Sequence, residues 1–197
     1  MGLNTRFFRW FRVLPLMVVI ALGAGSYSLS YAPVAVLRTY FLPIHHKAAI
    51  LDSAERHGVD PLLVCAIIEC ESGWDESAES GVGAQGLMQV MPSTAELMAS
   101  AGFVDGDDYD YTDLSDPITN IEYGCATLSY LQDNLHTRDQ VIAAYNAGLG
   151  AVQDWLAAGA TDVASAITYP ETRVYLQRVN EAFRVYSGLY DEQLNER

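Results

Sequence analysis

The stretch Pro61-Leu-Leu-Val-Cys-Ala-Ile-Ile-Glu-Cys-Glu-Ser-Gly-Trp74 decides the reading of this chain. Every position from Leu62 to Ile68 is apolar, so a helix here is enclosed on all sides rather than laid on a surface. Asp60-Pro61 supplies a cap and a first-turn proline for its start. Glu71 closes the apolar run, and a glycine-rich loop follows at once. A carboxyl group at the C-terminal end of a buried helix sits in low dielectric and near the negative end of the helix dipole. Both effects disfavour the carboxylate and raise its pKa. A carboxylic acid held protonated near neutral pH is what cleavage of a glycosidic bond requires. Glu69 is a weaker candidate. Two residues along a helix rotate the side chain by about 200°, so Glu69 and Glu71 point nearly opposite ways. Glu69 therefore reads as a structural carboxylate.

Outward from this helix the chain is rich in helix punctuation. A helix over 46–57 stops at Gly58. Gly81, Gly83 and Gly86 mark the segment from Gly73 as a loop with a short hairpin. Further helices are expected over 92–100, 117–134, 138–146, 151–158 and 170–187, opened by prolines at 92, 117 and 170 and closed in places by glycines. Strand patterns are nearly absent. The expected fold is one mainly helical domain with a small loop and hairpin region.

Charge is distributed very unevenly. Arg6, Arg9, Arg12, Arg38 and Lys47 all precede the first acidic residue, Asp52. From residue 48 onward, 25 acidic residues face six arginines, a net charge of −19. Such a domain repels nucleic acid and leaves no basic patch for phosphates. The run from Val13 to Leu37 holds 25 residues without a charge. As a helix it would be roughly 37 Å long, enough to cross a bilayer. The arginines before it place the N-terminus in the cytoplasm. The expected organisation is a basic tail over 1–12, a membrane anchor or signal segment over 13–37, a linker over 38–47 and an extracytoplasmic domain over 48–197. Secretion after signal cleavage near Ala32 is the alternative to a single-pass anchor, although Pro33 directly after the cut is unfavourable. Cys65, Cys70 and Cys125 read as buried small hydrophobes, and no Cys/His metal spacing is present. The acidic loop Asp105-Gly-Asp-Asp-Tyr-Asp110 lacks the twelve-residue order, ending in Glu, of an EF-hand.

Four pieces, in order, carry a resemblance. They are Glu71-Ser72-Gly73-Trp74; Gly83-Ala84-Gln85-Gly86-Leu87-Met88-Gln89-Val90-Met91-Pro92-Ser93-Thr94-Ala95; Ala144-Tyr145-Asn146-Ala147-Gly148; and Tyr169-Pro170-Glu171-Thr172-Arg173-Val174-Tyr175. Together they resemble the family 1 lytic transglycosylases of bacterial cell walls, over residues from about 44 to 187. The resemblance implies a lysozyme-like α+β fold and peptidoglycan glycan strands as substrate. It places the catalytic acid at Glu71. Ordinary glycosidases set two carboxylates across the bond, and no second motif carboxylate is expected to face Glu71. In the family one Glu acts as acid and then base, and the C6 hydroxyl of the sugar closes onto C1 to leave a 1,6-anhydro-muramic acid end. No metal or cofactor is needed.

The other expected substrate contacts follow from side-chain chemistry and motif position. Gln89 offers a donor and an acceptor to an N-acetyl group, and Met88 a soft wall against a sugar face. Ser80 matches a loop serine that contacts the substrate, and Tyr130 a cleft aromatic. Tyr145 matches a tyrosine that orients Glu71 or the N-acetyl group. Asn146 is expected to fix its turn through bonds to backbone, and Glu171 opens the last helix at the cleft. Tyr175 and Arg173 read as core residues, with the Tyr175 hydroxyl satisfied and Arg173 paired within its helix. Two other functions fit the same scaffold: a goose-type-like lysozyme hydrolase, and a non-catalytic peptidoglycan-binding protein.

Overall fold

The computed structural model describes residues 15, 17–20, 43–159 and 162–195. The expected tail over 1–12 and most of the expected anchor over 13–37 lie outside these residues. Within the anchor, residues 15 and 17–20 are helical, and Met17, Val18, Val19 and Ile20 each expose half or more of their surface. Among the described residues no helix is long and apolar enough to cross a membrane. The chain divides into two compact units, Met1–Pro43 and Ile44–Arg197.

The second unit is mainly helical, and among the described residues it contains eight helices. They are α1 (Lys47–His57), α2 (Pro61–Glu71), α3 (Pro92–Ser100), α4 (Pro117–Asn134), α5 (Arg138–Ala147), α6 (Leu149–Ala157), α7 (Val163–Ala166) and α8 (Pro170–Asn195). Their ends follow from local chemistry. Gly58 adopts φ 64° and donates to the Glu55 carbonyl, closing α1. The Asp60 carboxylate accepts from Leu62 N–H at 2.8 Å and starts α2. Asp116 caps α4 in the same way through Thr119 N–H, and Thr137 with Gln140 forms a reciprocal capping box on α5.

Helix α2 is the centre of the unit. Leu62, Leu63, Val64, Cys65, Ala66, Ile67 and Ile68 are all buried. It packs along α8, and more lightly against α1, while α5 also lies on α8 and α4 bridges α1, α3 and α5. The last helix runs to Asn195 rather than ending near Ser187, because Tyr186, Tyr190 and Leu194 continue a buried stripe at a spacing of four. The short helix α7 was not expected; the Asp162 carboxylate caps it through Ala164 N–H. In place of a hairpin, the loop carries two isolated antiparallel bridges, Glu79 to Gln85 and Gln85 to Val90.

One buried ion cluster ties α1 to α4. Glu122 is 3 % exposed. It accepts from Arg56 Nη2 at 2.6 Å and pairs with His57 Nε2 at 2.9 Å. Burial alone would raise the Glu122 pKa, but hydrogen bonds from His57 and Arg56 outweigh it and hold the carboxyl at about 2. A depressed folded-state pKa contributes stability above the unfolded value of about 4.3, and that contribution is lost as pH falls toward the folded value. The urea midpoint should therefore fall between pH about 4.5 and about 2. Glu122→Gln should flatten that fall and lower stability at pH 7 by about 1–3 kcal/mol, measured by urea unfolding at each pH.

Candidate active site

Glu71 ends α2 where the enclosed part of the helix meets solvent, and it is half-buried. Burial raises its pKa, while the Tyr175 hydroxyl and the Arg178 guanidinium partly pull it back. Glu69 points elsewhere. The Tyr186 hydroxyl donates to Glu69 Oε2 at 3.2 Å and itself accepts from Trp74 Nε1 at 2.9 Å. Glu69 thus belongs to a structural hydrogen-bond chain.

The glycine-rich loop is fastened beside Glu71 by side chains from four places. Ser72 Oγ donates to the Leu87 carbonyl at 2.8 Å and joins the end of α2 to the loop. Asn120, within α4, accepts from Met88 N–H at 2.7 Å and donates to the carbonyls of Gln85 and Leu114 at 2.7 and 2.9 Å. The Tyr145 hydroxyl on α5 donates to the Met88 carbonyl at 2.9 Å. Gln89, in the left-handed region at φ 48°, donates its amide to the carbonyls of Ala78 and Gly86 at 2.9 and 3.0 Å. Two glycines make the approach possible. A Cβ on Gly86 would lie 2.4 Å from Asn120 Nδ2, and one on Gly124 would lie 2.2 Å from Met88 Sδ. Ser72, Asn120 and Gly124 carry roles that the sequence reading missed. The signal for the last two was a buried-helix asparagine and a glycine one turn apart, on one face of α4.

The remaining expected residues fall in distinct places. Ser80 is half-buried, and its hydroxyl accepts from Ala84 N–H at 2.9 Å, shaping the turn whose tip is the exposed Val82. Met88 is fully buried, so it is no wall for a sugar; the space above Gly124 draws it into the core. Both amide hydrogens of Gln89 are used inside the loop, which leaves its carbonyl oxygen for a ligand. Tyr130 is half-buried and packs edge-on against Phe103, a contact that does not include Glu71. Asn146 Oδ1 accepts from Thr172 Oγ1 at 2.7 Å, so it ties α5 to α8 rather than to its own backbone. Glu171 is exposed in the first turn of α8. Arg173 does not pair within its helix; it donates to the Ile167 carbonyl.

Tyr175 departs most from expectation. It is 6 % exposed, as a core residue should be, but its hydroxyl has no well-formed hydrogen bond. Its interacting neighbour is the Glu71 carboxyl, to which it is near enough to lower the pKa. Glu71, Tyr145 and Tyr175 are therefore brought together, with the loop held above by Tyr145. Among the described residues no three His, Cys, Asp or Glu side chains converge as a metal site. In the acidic loop, Asp105 and Asp110 accept from the N–H groups of Asp107 and Thr112, and so serve as turn caps.

The two tyrosines should respond differently to loss of the hydroxyl. Tyr145→Phe leaves the Met88 carbonyl without its donor and should cost about 1–2 kcal/mol of stability. Tyr175→Phe removes a buried group with no formed bond and should change stability by less than about 0.5 kcal/mol. Thermal and urea unfolding of both variants will show whether the difference has this sign.

Residues 48–166 match the family described as Transglycosylase SLT domain. The chain is 39 % identical over 123 residues to the soluble lytic murein transglycosylase of Escherichia coli (strain K12), covering 58 % of this chain and 18 % of that protein. It is 34 % identical over 172 residues to the membrane-bound lytic murein transglycosylase C of Serratia proteamaculans (strain 568), covering 74 % of this chain and 46 % of that one. It thus spans less than half the length of either relative. The fold is shared with the 70 kDa soluble lytic transglycosylase of Escherichia coli, at a TM-score of 0.68 and 31 % identity, over 75 % of this chain and 25 % of that one. An inactive Glu-to-Gln mutant of the lytic transglycosylase Slt from Pseudomonas aeruginosa superposes at a TM-score of 0.69 and 28 % identity, over 84 % and 29 % of the two chains. On the match over residues 48–166, with Glu71 and the fastened loop both inside it, this chain belongs to the transglycosylase SLT domain family.

Proposed function

We propose that this chain is a peptidoglycan lytic transglycosylase that cleaves the β-1,4 bond between N-acetylmuramic acid and N-acetylglucosamine. The observation that carries the reading is Glu71: a carboxyl whose pKa is raised by burial, at the edge of a loop whose backbone is fixed. The family relatives named lytic murein transglycosylases support the substrate and the reaction type. That a Glu-to-Gln change gives an inactive enzyme in one structural relative is consistent with a single essential carboxyl.

In the first step Glu71 gives its proton to the glycosidic oxygen as the bond from C1 to that oxygen breaks. The N-acetylglucosamine side leaves with a free hydroxyl. In the second step the C6 hydroxyl of the muramic acid ring attacks C1 and passes its proton to the Glu71 carboxylate. The acid is regenerated and a 1,6-anhydro end remains. No group beyond Glu71 has to accept or donate a proton. Tyr145 keeps the loop in register over the carboxyl, and the Gln89 carbonyl and Ser80 lie on that loop as substrate contacts.

Glu71→Gln keeps the shape of the side chain and removes the transferable proton. Muropeptide release from purified walls should fall by about two orders of magnitude or more, with the melting temperature retained. Mass analysis of wild-type products should give anhydro ends; reducing ends would identify a hydrolase instead. A Glu71→Gln variant that digests walls at the normal rate would remove Glu71 from the chemistry and favour another acid.

The membrane anchor is the second part of the proposal. It rests on the uncharged run from Val13 to Leu37, the arginines before it, and the relative named membrane-bound lytic murein transglycosylase C. Full-length protein should sediment with membranes, and protease added to intact protoplasts should digest the catalytic domain. A shortened, soluble species released to the medium would show cleavage instead.

A further inference from the structure

Helix α2 ends without a cation of its own: its last turn carries no basic residue, and it ends on two acidic ones, Glu69 and Glu71. The final carbonyls of a helix lack intrahelical donors and form the negative end of its dipole. At this end the required charge comes from another helix. Arg178 lies on α8, one turn beyond Tyr175, and its Nη2 donates to the Cys70 carbonyl at 3.2 Å. Cys70 is the residue before Glu71.

We propose that Arg178 is a positioning residue for Glu71: anchored on the Cys70 carbonyl, its guanidinium favours the carboxylate that Glu71 becomes after giving up its proton. The inference rests on Glu71 acting as acid and then base. Burial by itself favours the protonated acid, and so makes its proton harder to transfer. A cation beside the carboxyl reduces that cost and supports the base form needed for the second step.

Among the described residues, few titratable groups face Glu71. From α2 there is the Cys70 thiol, pushed up to about 11 mainly by burial. Glu69 on the same helix is turned to Tyr186. From α5 there is the Tyr145 hydroxyl, and from α8 the Tyr175 hydroxyl, both kept protonated by burial. None of these three hydroxyl and thiol groups is charged near neutral pH, so among the described residues Arg178 is the cation that acts on Glu71. Arg178 is itself exposed, so its influence is screened by salt.

The test uses the full chain in detergent. With Arg178→Gln, the alkaline limb of the pH dependence of kcat/KM should move upward by about half a unit to one unit. The rate at neutral pH should fall roughly three- to tenfold. Arg178→Lys should restore most of the limb, and added salt should move the wild-type limb toward that of Arg178→Gln. Titration of the Glu71 carboxyl by carbon-13 NMR, assigned by the signal lost in Glu71→Gln, should show the same upward shift without reference to activity. A uniform loss of rate with the limb and the carboxyl titration unmoved would overturn the proposal and leave Arg178 as a helix tie only. If Glu71→Gln were active yet Arg178→Gln still shifted the Glu71 titration, the functional reading would fall while the coupling of the two side chains stood.

Discussion

Enclosure of α2 is the constraint on which the rest depends. Its run from Leu62 to Ile68 offers no polar face to water, so the other elements must close around it. Fully burying each of the larger side chains contributes about 1.5–3 kcal/mol, a driving force no surface helix of this length has. Helix α8 runs along α2 and supplies the longest wall. Once the helix is enclosed, its C-terminal end must emerge somewhere, and it emerges at Glu71. Glu71 is partly buried because the helix that carries it is buried. No separate pocket is required to raise its pKa.

The loop beside that end is held by an arrangement with few loose polar groups. Loop carbonyls at Ala78, Gln85, Gly86, Leu87 and Met88 each receive a side-chain donor, from Gln89, Asn120, Ser72 or Tyr145. A loop with almost no strand pairing would otherwise leave such groups unsatisfied where it packs on the core. The same bonds fix the loop backbone, so rigidity and satisfaction have one cause. The Tyr175 hydroxyl is one of the buried groups left out of this arrangement. It is buried without a formed bond, and its interacting neighbour is the Glu71 carboxyl.

Much of this was legible in the sequence for a local reason. Helix ends marked by Pro, Gly and Asp were read to within a few residues, because caps depend on neighbours in the chain. Glu71 was legible from the apolar run before it, and Glu69 from the helical angle between them. What stayed hidden depends on partners far along the chain. Asn120 meets Met88 only after α4 folds against the loop, and Gly124 matters only because Met88 turns inward there. Met88 read as a soft wall for a sugar from its side-chain chemistry; its main chain does lie in the fastened loop, but its side chain fills the core. Tyr175 looked like a satisfied core aromatic because burial could be read from the helical period and hydrogen bonding could not. The end of α8 was placed too early, near Ser187, whereas Tyr190 and Leu194 continue the packing.

Two carboxyls show how one fold sets opposite acidities. Glu122 is more enclosed than Glu71, yet its pKa is lowered, because Arg56 and His57 both reach it. Glu71 has one exposed guanidinium and one tyrosine hydroxyl, and burial prevails. The consequences for stability have opposite sign. For Glu122 the folded state is favoured above the unfolded carboxyl range and loses that advantage in acid. For Glu71 the contribution vanishes when folded and unfolded carboxyls are both protonated, and it turns unfavourable as pH rises past the unfolded range, because the folded state resists ionisation. The fold therefore gives up stability at Glu71, where burial outweighs the cation and the hydroxyl beside it. It recovers some at the distant cluster that ties α1 to α4. A second close cation at Glu71 would stabilise the domain near neutral pH and, by the same interaction, draw the Glu71 pKa down.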